Sequence, residues 1–438
     1  MYEGEINMKR DFYNILKKWK AEGMLKPLMV VGARQIGKTY IIDEFCKKEF
    51  KQYVYINLLE KNEVVKIFEE KIDFEDKVRK LELEINQKLD DEDFIIFFDE
   101  IQESEELISH LKSFCESDKK YNIVCAGSLL GVKINRFNSS FPVGKVQIEH
   151  MYQMNFEEFL RALKKDMWIE EIRRCYKNME RISIHEKLMR YYRYFLCIGG
   201  MPEAVKNFVE VDEEILLFND KIIKNIITSY LADMNKYTVN NVESVKIEKI
   251  YNQVPLSLAK ENKKFKYIDI DKNAKKRDYE SSIDWLKASK LVLKCNLVET
   301  VQIPLKVYEK VEHFKLYLSD CGLLTSLLEI KFNDIMLDKN FIYKGVLAEN
   351  YIAQTLASKN ISLYYWKSQN MAELDFLLYN DDGIIPVEVK ANINNKSKSL
   401  NSYIEKYNPA YAIRISGRNF GFENNIKSIP LYAAYLIE

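Results

Sequence analysis

The chain has 438 residues, and its 66 Lys and Arg side chains balance 66 Asp and Glu side chains, so the formal net charge at pH 7 is zero. This length predicts about three domains, and the zero net charge excludes a strong overall attraction to nucleic acid or to an acidic membrane. The seven cysteines include no C-x-x-C pair, which predicts reduced thiols and neither a disulfide framework nor a zinc site. Because no apolar run is long enough to span a membrane and no signal peptide is evident, we expect a cytoplasmic protein without a membrane partner.

A glycine-rich segment between a predicted strand (27–31) and a predicted helix carries the clearest chemical signal. The segment fits G-x-x-x-x-G-K-[ST] and consists of Gly32, Ala33, Arg34, Gln35, Ile36, Gly37, Lys38 and Thr39. In this pattern backbone N–H groups surround the phosphates, the lysine reaches the β- and γ-phosphates, and the Thr hydroxyl binds Mg²⁺. The sequence therefore predicts a phosphate-binding loop (P-loop, or Walker A) with ATP and Mg²⁺ as its cofactors.

Two carboxylates follow a second apolar run. Residues 94–98 read as a strand buried on both faces, and Asp99 and Glu100 come directly after it. A strand of this kind delivers its last residues to the carboxyl edge of a parallel sheet, where ligands bind. We expect Asp99 to hold Mg²⁺ and Glu100 to polarise the attacking water.

A third predicted strand, at 121–126, ends in Gly127 and Ser128. A small polar side chain at this place can hydrogen-bond the γ-phosphate or the water and so take part in catalysis. The alternative interpretation of Ser128 is an ordinary turn from strand to loop.

Together these segments resemble the AAA+-like branch of P-loop ATPases. More specifically, the whole chain is similar to a bacterial and archaeal family that joins such a domain to a C-terminal region of unassigned function. The shared motifs are Asp99-Glu100-Ile101-Gln102, Ala126-Gly127-Ser128, Met154-x-Phe156-Glu157-Glu158-Phe159-Leu160 and Gly199-Gly200-Met201-Pro202-Glu203. The resemblance implies an α/β fold with a parallel sheet and a helical lid, and the activity of an ATPase.

One position departs from the family pattern. Gly144-Lys145 stands where the family usually has Gly-Arg ahead of a strand. If that arginine is the family's charge-stabilising finger, Lys145 is a poorer planar donor, and Arg136 is the alternative. Relatives often assemble so that an arginine of one subunit completes the site of the next, which makes a homo-oligomer an option for this chain.

Changes of sequence texture divide the chain into four predicted parts. These are the P-loop ATPase domain (1–165), a helical lid (166–235), a winged-helix-like domain (236–335) and a nuclease-like α/β domain (336–438). The lid is amphipathic helical sequence interrupted at Gly199-Gly200 and Pro202. The interruption indicates either a helix that opens near the nucleotide or an ordinary turn between helices.

The winged-helix prediction depends on the order helix, turn, helix, hairpin. Helices are expected at 245–260 and 281–289, followed by strands at 291–293 and 313–318. Between the helices lies a basic cluster formed by Lys272, Lys275, Lys276 and Arg277. Such modules place a helix in the major groove of DNA with basic neighbours on phosphates, but others bind protein, and a lysine cluster is commonly a solvated face. DNA is therefore a candidate partner.

The C-terminal part carries a second chemical pattern, in which acids on a helix and a strand precede E-x-K on the next strand. Its members are Glu349, Asp375, Glu388 and Lys390, and they resemble the PD-(D/E)xK nuclease core. In that reading Glu349, Asp375 and Glu388 bind Mg²⁺ with the carbonyl of residue 389, and Lys390 stabilises the nucleophile or the developing charge. Glu373 lies on the same strand face as Asp375, which leaves the ligand choice open, and a cross-strand salt bridge is the structural alternative.

Three classes of function follow from these patterns. The first is an ATPase that acts on, or is regulated by, DNA through its C-terminal half. The second is a Mg²⁺-dependent DNA nuclease controlled by ATP, and the third is a nucleotide-dependent switch that recruits a protein. Thr39 and Glu100 favour hydrolysis over binding alone, which ranks the pure switch last.

Overall fold

The computed structural model describes residues 8–89, 93–128, 131–132, 141–236, 238, 240–337, 341–368, 372–391 and 397–438. These residues form two compact units. The unit that carries the predicted P-loop, named the ATPase unit, consists of Lys9–Tyr152 and Ala288–Lys290. The larger unit consists of Met8, Gln153–Lys287 and Leu291–Glu438.

A parallel sheet forms the centre of the ATPase unit. Its strands are Leu28–Val31 (β1), Gln52–Asn57 (β2), Phe94–Asp99 (β3), Asn122–Gly127 (β4) and Gln147–His150 (β5). They lie in the order β2-β3-β4-β1-β5, and every neighbouring pair is parallel. Strands β1, β3 and β4 are buried along their whole length, as expected for apolar runs covered on both faces.

Helices connect the strands of this sheet. They are Phe12–Ala21 (α1), Lys38–Glu49 (α2), Asn62–Glu69 (α3), Phe74–Ile85 (α4) and Glu105–Glu116 (α5). The start of α5 is determined by its sequence. The Ser104 hydroxyl caps the helix by accepting a hydrogen bond from the Leu107 amide, and two glutamates in the first turn interact favourably with the helix dipole. The predicted α/β fold with a parallel central sheet is confirmed.

The larger unit begins with consecutive helices. They are Phe156–Ala162 (α6), Asp166–Asn178 (α7), His185–Ile198 (α8), Pro202–Glu210 (α9), Lys221–Lys236 (α10), Asn241–Leu258 (α11) and Lys276–Ala288 (α12), whose last residue belongs to the ATPase unit. A reciprocal capping box between Asn155 and Glu158 starts α6. Pro202 starts α9, where its missing amide costs nothing.

An eight-stranded mixed sheet follows. Its strands are Val292–Val298 (β6), Glu309–Leu318 (β7), Tyr364–Lys367 (β8), Glu373–Asn380 (β9), Gly383–Lys390 (β10), Ala412–Ser416 (β11), Gly421–Glu423 (β12) and Ile426–Pro430 (β13). The strand order is β12-β13-β11-β10-β9-β8-β6-β7. The helices among them are Cys321–Leu327 (α13), Phe332–Leu337 (α14), Lys344–Ser358 (α15) and Lys398–Tyr407 (α16).

The expected hairpin forms, because β6 and β7 pair antiparallel. It does not stand alone, since β6 also pairs with β8 in parallel from Asn296 to Val298. The β6–β7 hairpin therefore forms one edge of the eight-stranded sheet. This sheet contains strands from both the predicted winged-helix-like domain and the predicted nuclease-like domain, whose limit was expected at residue 335.

In the part of the chain that the structure describes, no helix is both long enough and apolar enough to cross a membrane.

Candidate functional site

The P-loop joins β1 to α2 through a tightly packed turn. Gly37 caps α2 with φ of 87°, a left-handed conformation that glycine adopts without strain. A Cβ on Gly32 would lie 2.3 Å from the carbonyl oxygen of Met151. Both glycines of the motif are therefore required by the backbone itself.

Lys38 is the first residue of α2 and its side chain turns back over the loop. Its Nζ donates hydrogen bonds to the carbonyl oxygens of Ala33 at 2.7 Å and Gly32 at 3.0 Å. The side chain is buried. An ammonium held inside the loop by its own carbonyls is in place to meet phosphate oxygens.

Asp99 is the meeting point of three segments. Its Oδ2 accepts hydrogen bonds from the Thr39 hydroxyl at 2.8 Å and the Tyr55 hydroxyl at 3.0 Å, and its Oδ1 accepts the Glu100 amide at 3.0 Å. Burial raises the pKa of Asp99, and the bonds from Thr39 and Tyr55 oppose that shift. The structure therefore brings Thr39 and Asp99, the two predicted Mg²⁺ ligands, into direct contact.

Glu100 has an unusual backbone conformation, with φ of 51° and ψ of 43°. This left-handed conformation is uncommon for a residue with a Cβ. The Gln102 side-chain amide donates to Glu100 Oε2. The side chain predicted to polarise water is thus fixed both by its backbone and by a neighbouring amide.

Ser128 follows β4, the strand between β1 and β3, and it is buried at the edge where the P-loop begins. Lys145, the residue at the finger position, forms an ion pair of 2.8 Å with Glu116 on the surface of the ATPase unit. Arg136, the alternative, lies outside the described residues.

Two residues of this site were not singled out from the sequence. The buried Arg10 guanidinium donates to the carbonyl oxygens of Ile36 at 2.7 Å and Tyr152 at 2.6 Å, and so braces the P-loop from below. Tyr55 is the second. The signal that could have found it is the alternation in β2, which puts the hydroxyls of Tyr53 and Tyr55 on one face beside acidic residues.

In the larger unit, Glu349 is buried in the middle of α15, and both of its oxygens have hydrogen-bond donors. Oε1 accepts from Lys315 Nζ at 3.0 Å and from the Tyr317 hydroxyl at 2.5 Å, and Oε2 accepts from Lys263 Nζ. Burial alone would raise the pKa of Glu349, but Lys263 and Lys315 reverse that effect and hold the pKa below its usual range.

Lys315 on β7 joins this group to the neighbouring strand β9. Its Nζ lies 2.9 Å from Glu373 Oε1, and its side chain is 1% exposed. Burial lowers its pKa, but Glu349, Glu373 and Asp375 outweigh burial and raise the pKa overall. Lys315 is therefore a buried ammonium ion between two carboxylates. The sequence feature that could have identified Lys315 is its position as a single lysine in the otherwise apolar end of a strand.

The other members of the predicted nuclease pattern lie on β9 and β10. Asp375 Oδ2 accepts the Val389 amide at 2.8 Å, and burial together with the charge of Glu349 raises the pKa of Asp375 to about 6. Glu388 is buried, and its Oε1 lies 3.3 Å from Lys390 Nζ, as the E-x-K spacing predicted. Its Oε2 has no hydrogen-bond partner among the described residues.

The two predicted metal sites differ in how well their side chains suit Mg²⁺. Thr39 and Asp99 fit, because a hydroxyl and a carboxylate at the P-loop are the oxygen donors that hold Mg²⁺ in P-loop NTPases. The C-terminal carboxylates do not fit, because the Glu349 oxygens are bonded to two lysines and a tyrosine. Over the described ranges, no group of three or more His, Cys, Asp or Glu side chains is arranged to hold a metal ion.

The basic cluster of the larger unit is partly compensated by neighbouring acids. Lys276 lies 3.6 Å from Glu280, and Arg277 lies 3.7 Å from Asp278. Lys272 and Lys275 are exposed. The cluster therefore offers exposed cations, with less net positive charge than its sequence suggests.

Three protein families match successive parts of the chain. Residues 25–160 match AAA_14, an AAA domain. Residues 189–334 match DUF8612, a domain of unknown function, and residues 344–434 match DUF4143, a second domain of unknown function. No curated protein matches the chain.

Solved structures are similar to the chain at low sequence identity. The Walker-type ATPase PABY2304 of Pyrococcus abyssi is 13% identical, with 74% of this chain and 96% of that chain covered at a TM-score of 0.47. The Aeropyrum pernix ORC2 protein, in ADPNP-ADP complexes, is 13% identical over 75% and 92% at a TM-score of 0.36. The Thermotoga maritima RuvB Holliday junction branch migration motor is 13% identical over 66% and 89% at a TM-score of 0.27.

Proposed function

We propose that this chain, an AAA-type P-loop ATPase in which a DUF4143 domain follows the ATPase domain, binds ATP with Mg²⁺ and hydrolyses it. The observation that carries the proposal is the 2.8 Å hydrogen bond from the Thr39 hydroxyl to Asp99. It joins the last residue of the P-loop motif to the end of β3. Those are the two places from which P-loop ATPases hold the metal of a nucleotide complex.

Each side chain of the site has a role in this reaction. The P-loop amides and Lys38 bind the β- and γ-phosphates, and Thr39 and Asp99 hold Mg²⁺, which neutralises charge that develops on the phosphate oxygens. Glu100 accepts a proton from, or orients, the attacking water. Ser128 follows the strand between these two segments, where its hydroxyl can bond the γ-phosphate or the water.

Nucleotide binding and turnover in variants test the proposal. Lys38→Ala should abolish binding of ATP, while Glu100→Gln should bind ATP and retain it without hydrolysis. Glu103→Gln is the matched control, because it removes a nearby carboxylate outside the site and should turn over at the wild-type rate. Wild-type turnover by Glu100→Gln would remove the role given to Glu100, and nucleotide binding by Lys38→Ala would remove the site itself.

Action on, or regulation by, DNA through the C-terminal half is a second candidate. The exposed Lys272 and Lys275 beside Arg277 support it, since cations that track a phosphate backbone bind DNA in a salt-dependent way. We expect charge reversal of Lys272 and Lys275 to weaken DNA binding and to flatten its dependence on salt. If the charge-reversed variant binds DNA as wild type does at every salt concentration, this surface does not bind DNA.

The two remaining classes of function have less support. A Mg²⁺-dependent nuclease needs carboxylate oxygens that are free to bind the metal, and both oxygens of Glu349 accept hydrogen bonds from lysines. A nucleotide-dependent switch that recruits a protein would bind ATP without turnover. Wild-type protein that binds ATP and fails to hydrolyse it would favour the switch over the ATPase.

A further inference from the structure

We propose that the carboxylate cluster of the C-terminal sheet is a metal-free site in which the ammonium group of Lys315 takes the place of a divalent cation. The proposal is independent of the ATPase, because all of its residues belong to the larger unit. The cluster consists of Glu349 on α15, Glu373 and Asp375 on β9, Lys315 on β7, and Lys263 in the loop after α11.

The position of Lys315 is the first observation. Its Nζ lies 3.0 Å from Glu349 Oε1 and 2.9 Å from Glu373 Oε1, so one ammonium group bridges acids from a helix and from a strand. The ammonium also lies 4.9 Å from the centre of the Tyr365 ring, a further favourable contact for a buried cation. A bridging position between carboxylates is where a metal ion would bind.

Charge is the second observation. Mg²⁺ carries two positive charges, and Lys315 and Lys263 together supply the same charge to the same group of acids. Glu349, Glu373 and Asp375 supply three negative charges, so the two lysines and an added divalent ion would together leave an excess of one positive charge, unless a lysine left its carboxylate. Breaking a buried ion pair in this way is costly, because it leaves an uncompensated charge.

Two carboxylate oxygens of the cluster accept further hydrogen bonds. Glu349 Oε1 accepts the Tyr317 hydroxyl in addition to Lys315, and Asp375 Oδ2 accepts the Val389 amide. Mg²⁺ requires close oxygen contacts in near-octahedral geometry. Glu388 Oε2, which is buried next to the Lys390 ammonium, has no partner in the described part of the chain.

The network has a structural consequence. Lys263 and Lys315 belong to the segment before α13, and Glu349, Glu373 and Asp375 belong to the segment after α14. The buried ion pairs therefore fasten the β6–β7 hairpin region to α15 and β9. Residues that resemble a nuclease site in their sequence pattern thus form a network of ion pairs that holds these segments together. We call this network, made of Glu349, Glu373, Asp375, Lys315 and Lys263, the electrostatic clasp.

Binding of Mn²⁺ to the nucleotide-free full chain, followed by electron paramagnetic resonance, tests the proposal. Wild type and Asp375→Asn should bind the same amount of Mn²⁺. Lys315→Met, which keeps the length of the side chain and removes its charge, should gain one Mn²⁺ site, and Lys315→Met with Asp375→Asn should lose it again. Lys390→Met is the matched control and should gain nothing, because its ammonium contacts Glu388 outside the clasp.

Two results would overturn the proposal. One is a Mn²⁺ site in wild type that disappears in Asp375→Asn, since the cluster would then be a metal site. The other is a Lys315→Met protein that keeps the wild-type near-ultraviolet circular dichroism and gains no Mn²⁺. The comparison of wild type with Asp375→Asn requires no change at Lys315 and decides the first point even if the lysine variant does not fold.

Discussion

The Tyr55 hydroxyl donates a hydrogen bond of 3.0 Å to Asp99 Oδ2, the same oxygen that accepts the Thr39 hydroxyl. Tyr55 lies on β2, and β2 pairs in parallel with β3, so that Asn57 stands opposite Asp99. The Tyr55 ring also packs against Phe97 with its centre 5.2 Å away. The hydroxyl is therefore held by a rigid strand and fixes the orientation of the Asp99 carboxylate.

Tyr55→Phe should weaken metal binding at the ATP site more than it weakens nucleotide binding. The variant keeps the ring and loses one of three donors to Asp99, so the carboxylate becomes free to rotate. Hydrogen bonds to charged groups contribute about 1.5–3 kcal/mol, and Tyr55 is 40% exposed, so we expect an effect at the lower end of that range. The measurement is the affinity for Mn²⁺ in the presence of a non-hydrolysable ATP analogue.

The control for this prediction lies on the same strand. Tyr53 faces the same way as Tyr55, and its hydroxyl donates to Asp43 at 2.8 Å. Tyr53→Phe therefore removes an equivalent hydroxyl from the same strand without touching Asp99, and its Mn²⁺ affinity should equal that of wild type. Equal affinities in both variants would show that Tyr55 does not position Asp99.

Arg10→Met should destabilise the ATPase unit and weaken nucleotide binding. The substitution removes the donor to the Ile36 and Tyr152 carbonyls, and an unsatisfied buried polar group costs about 1–3 kcal/mol. Lys17→Met is the control, because Lys17 is an exposed cation on α1. Thermal unfolding and ATP-analogue affinity are the measurements, and a wild-type affinity in folded Arg10→Met would contradict a bracing role for Arg10.

The sequence predicted the P-loop, the strands β1, β3 and β4, and the α/β class, because each depends on local patterns. The glycines, the lysine and the buried strands follow rules that act over a few residues. The position of Asp99 at the carboxyl edge of the sheet was also expected, since parallel strands bring their carboxyl ends to one edge. Local chemistry and sheet topology together determine this site.

The C-terminal cluster was harder to interpret. Its acids were found by their spacing, but the partners of Glu349 are Lys263 and Lys315, which are 86 and 34 residues away in the chain. No local rule identifies which cation will meet a buried acid. The pairing of β6 with β8 likewise joins segments that are distant in sequence.

Gly199→Ala and Gly345→Ala should have effects of opposite sign on stability. At Gly199 φ is 77°, and a Cβ would lie 2.1 Å from Asp320 Oδ1. With ψ of −168° this backbone conformation is essentially restricted to glycine and costs a residue with a Cβ about 1–3 kcal/mol, and the clash adds to it. Gly345 lies in α15 with no atom within 4 Å of an added Cβ, so alanine should stabilise that helix by about 0.5–1 kcal/mol. Chemical denaturation of both variants checks the sign, and equal effects would contradict the packing at Gly199.

Asp320 gives the larger unit a defined pH dependence. Its carboxylate is buried and accepts the amides of Gly200, Gly322 and Leu323 at 2.6, 2.9 and 3.1 Å. Burial raises its pKa to about 6, and the three amides oppose that shift. Because the pKa is higher in the folded state than in the unfolded state, folding favours the protonated acid. The contribution to stability is therefore complete below about pH 4 and is lost as the pH rises through about 6.

Asp320→Asn should remove this part of the pH dependence. A shift of about two pKa units corresponds to about 3 kcal/mol, so the stability difference between wild type and variant should change by up to that amount between pH 4 and pH 7, in favour of the variant at the higher pH. The measurement is the free energy of unfolding of the larger unit in urea across this range, followed by hydrogen exchange at the Gly200 amide. Asp382→Asn, at an exposed turn between β9 and β10, is the control and should run parallel to wild type. A constant difference between wild type and Asp320→Asn across the range would mean that folding does not change the pKa of Asp320.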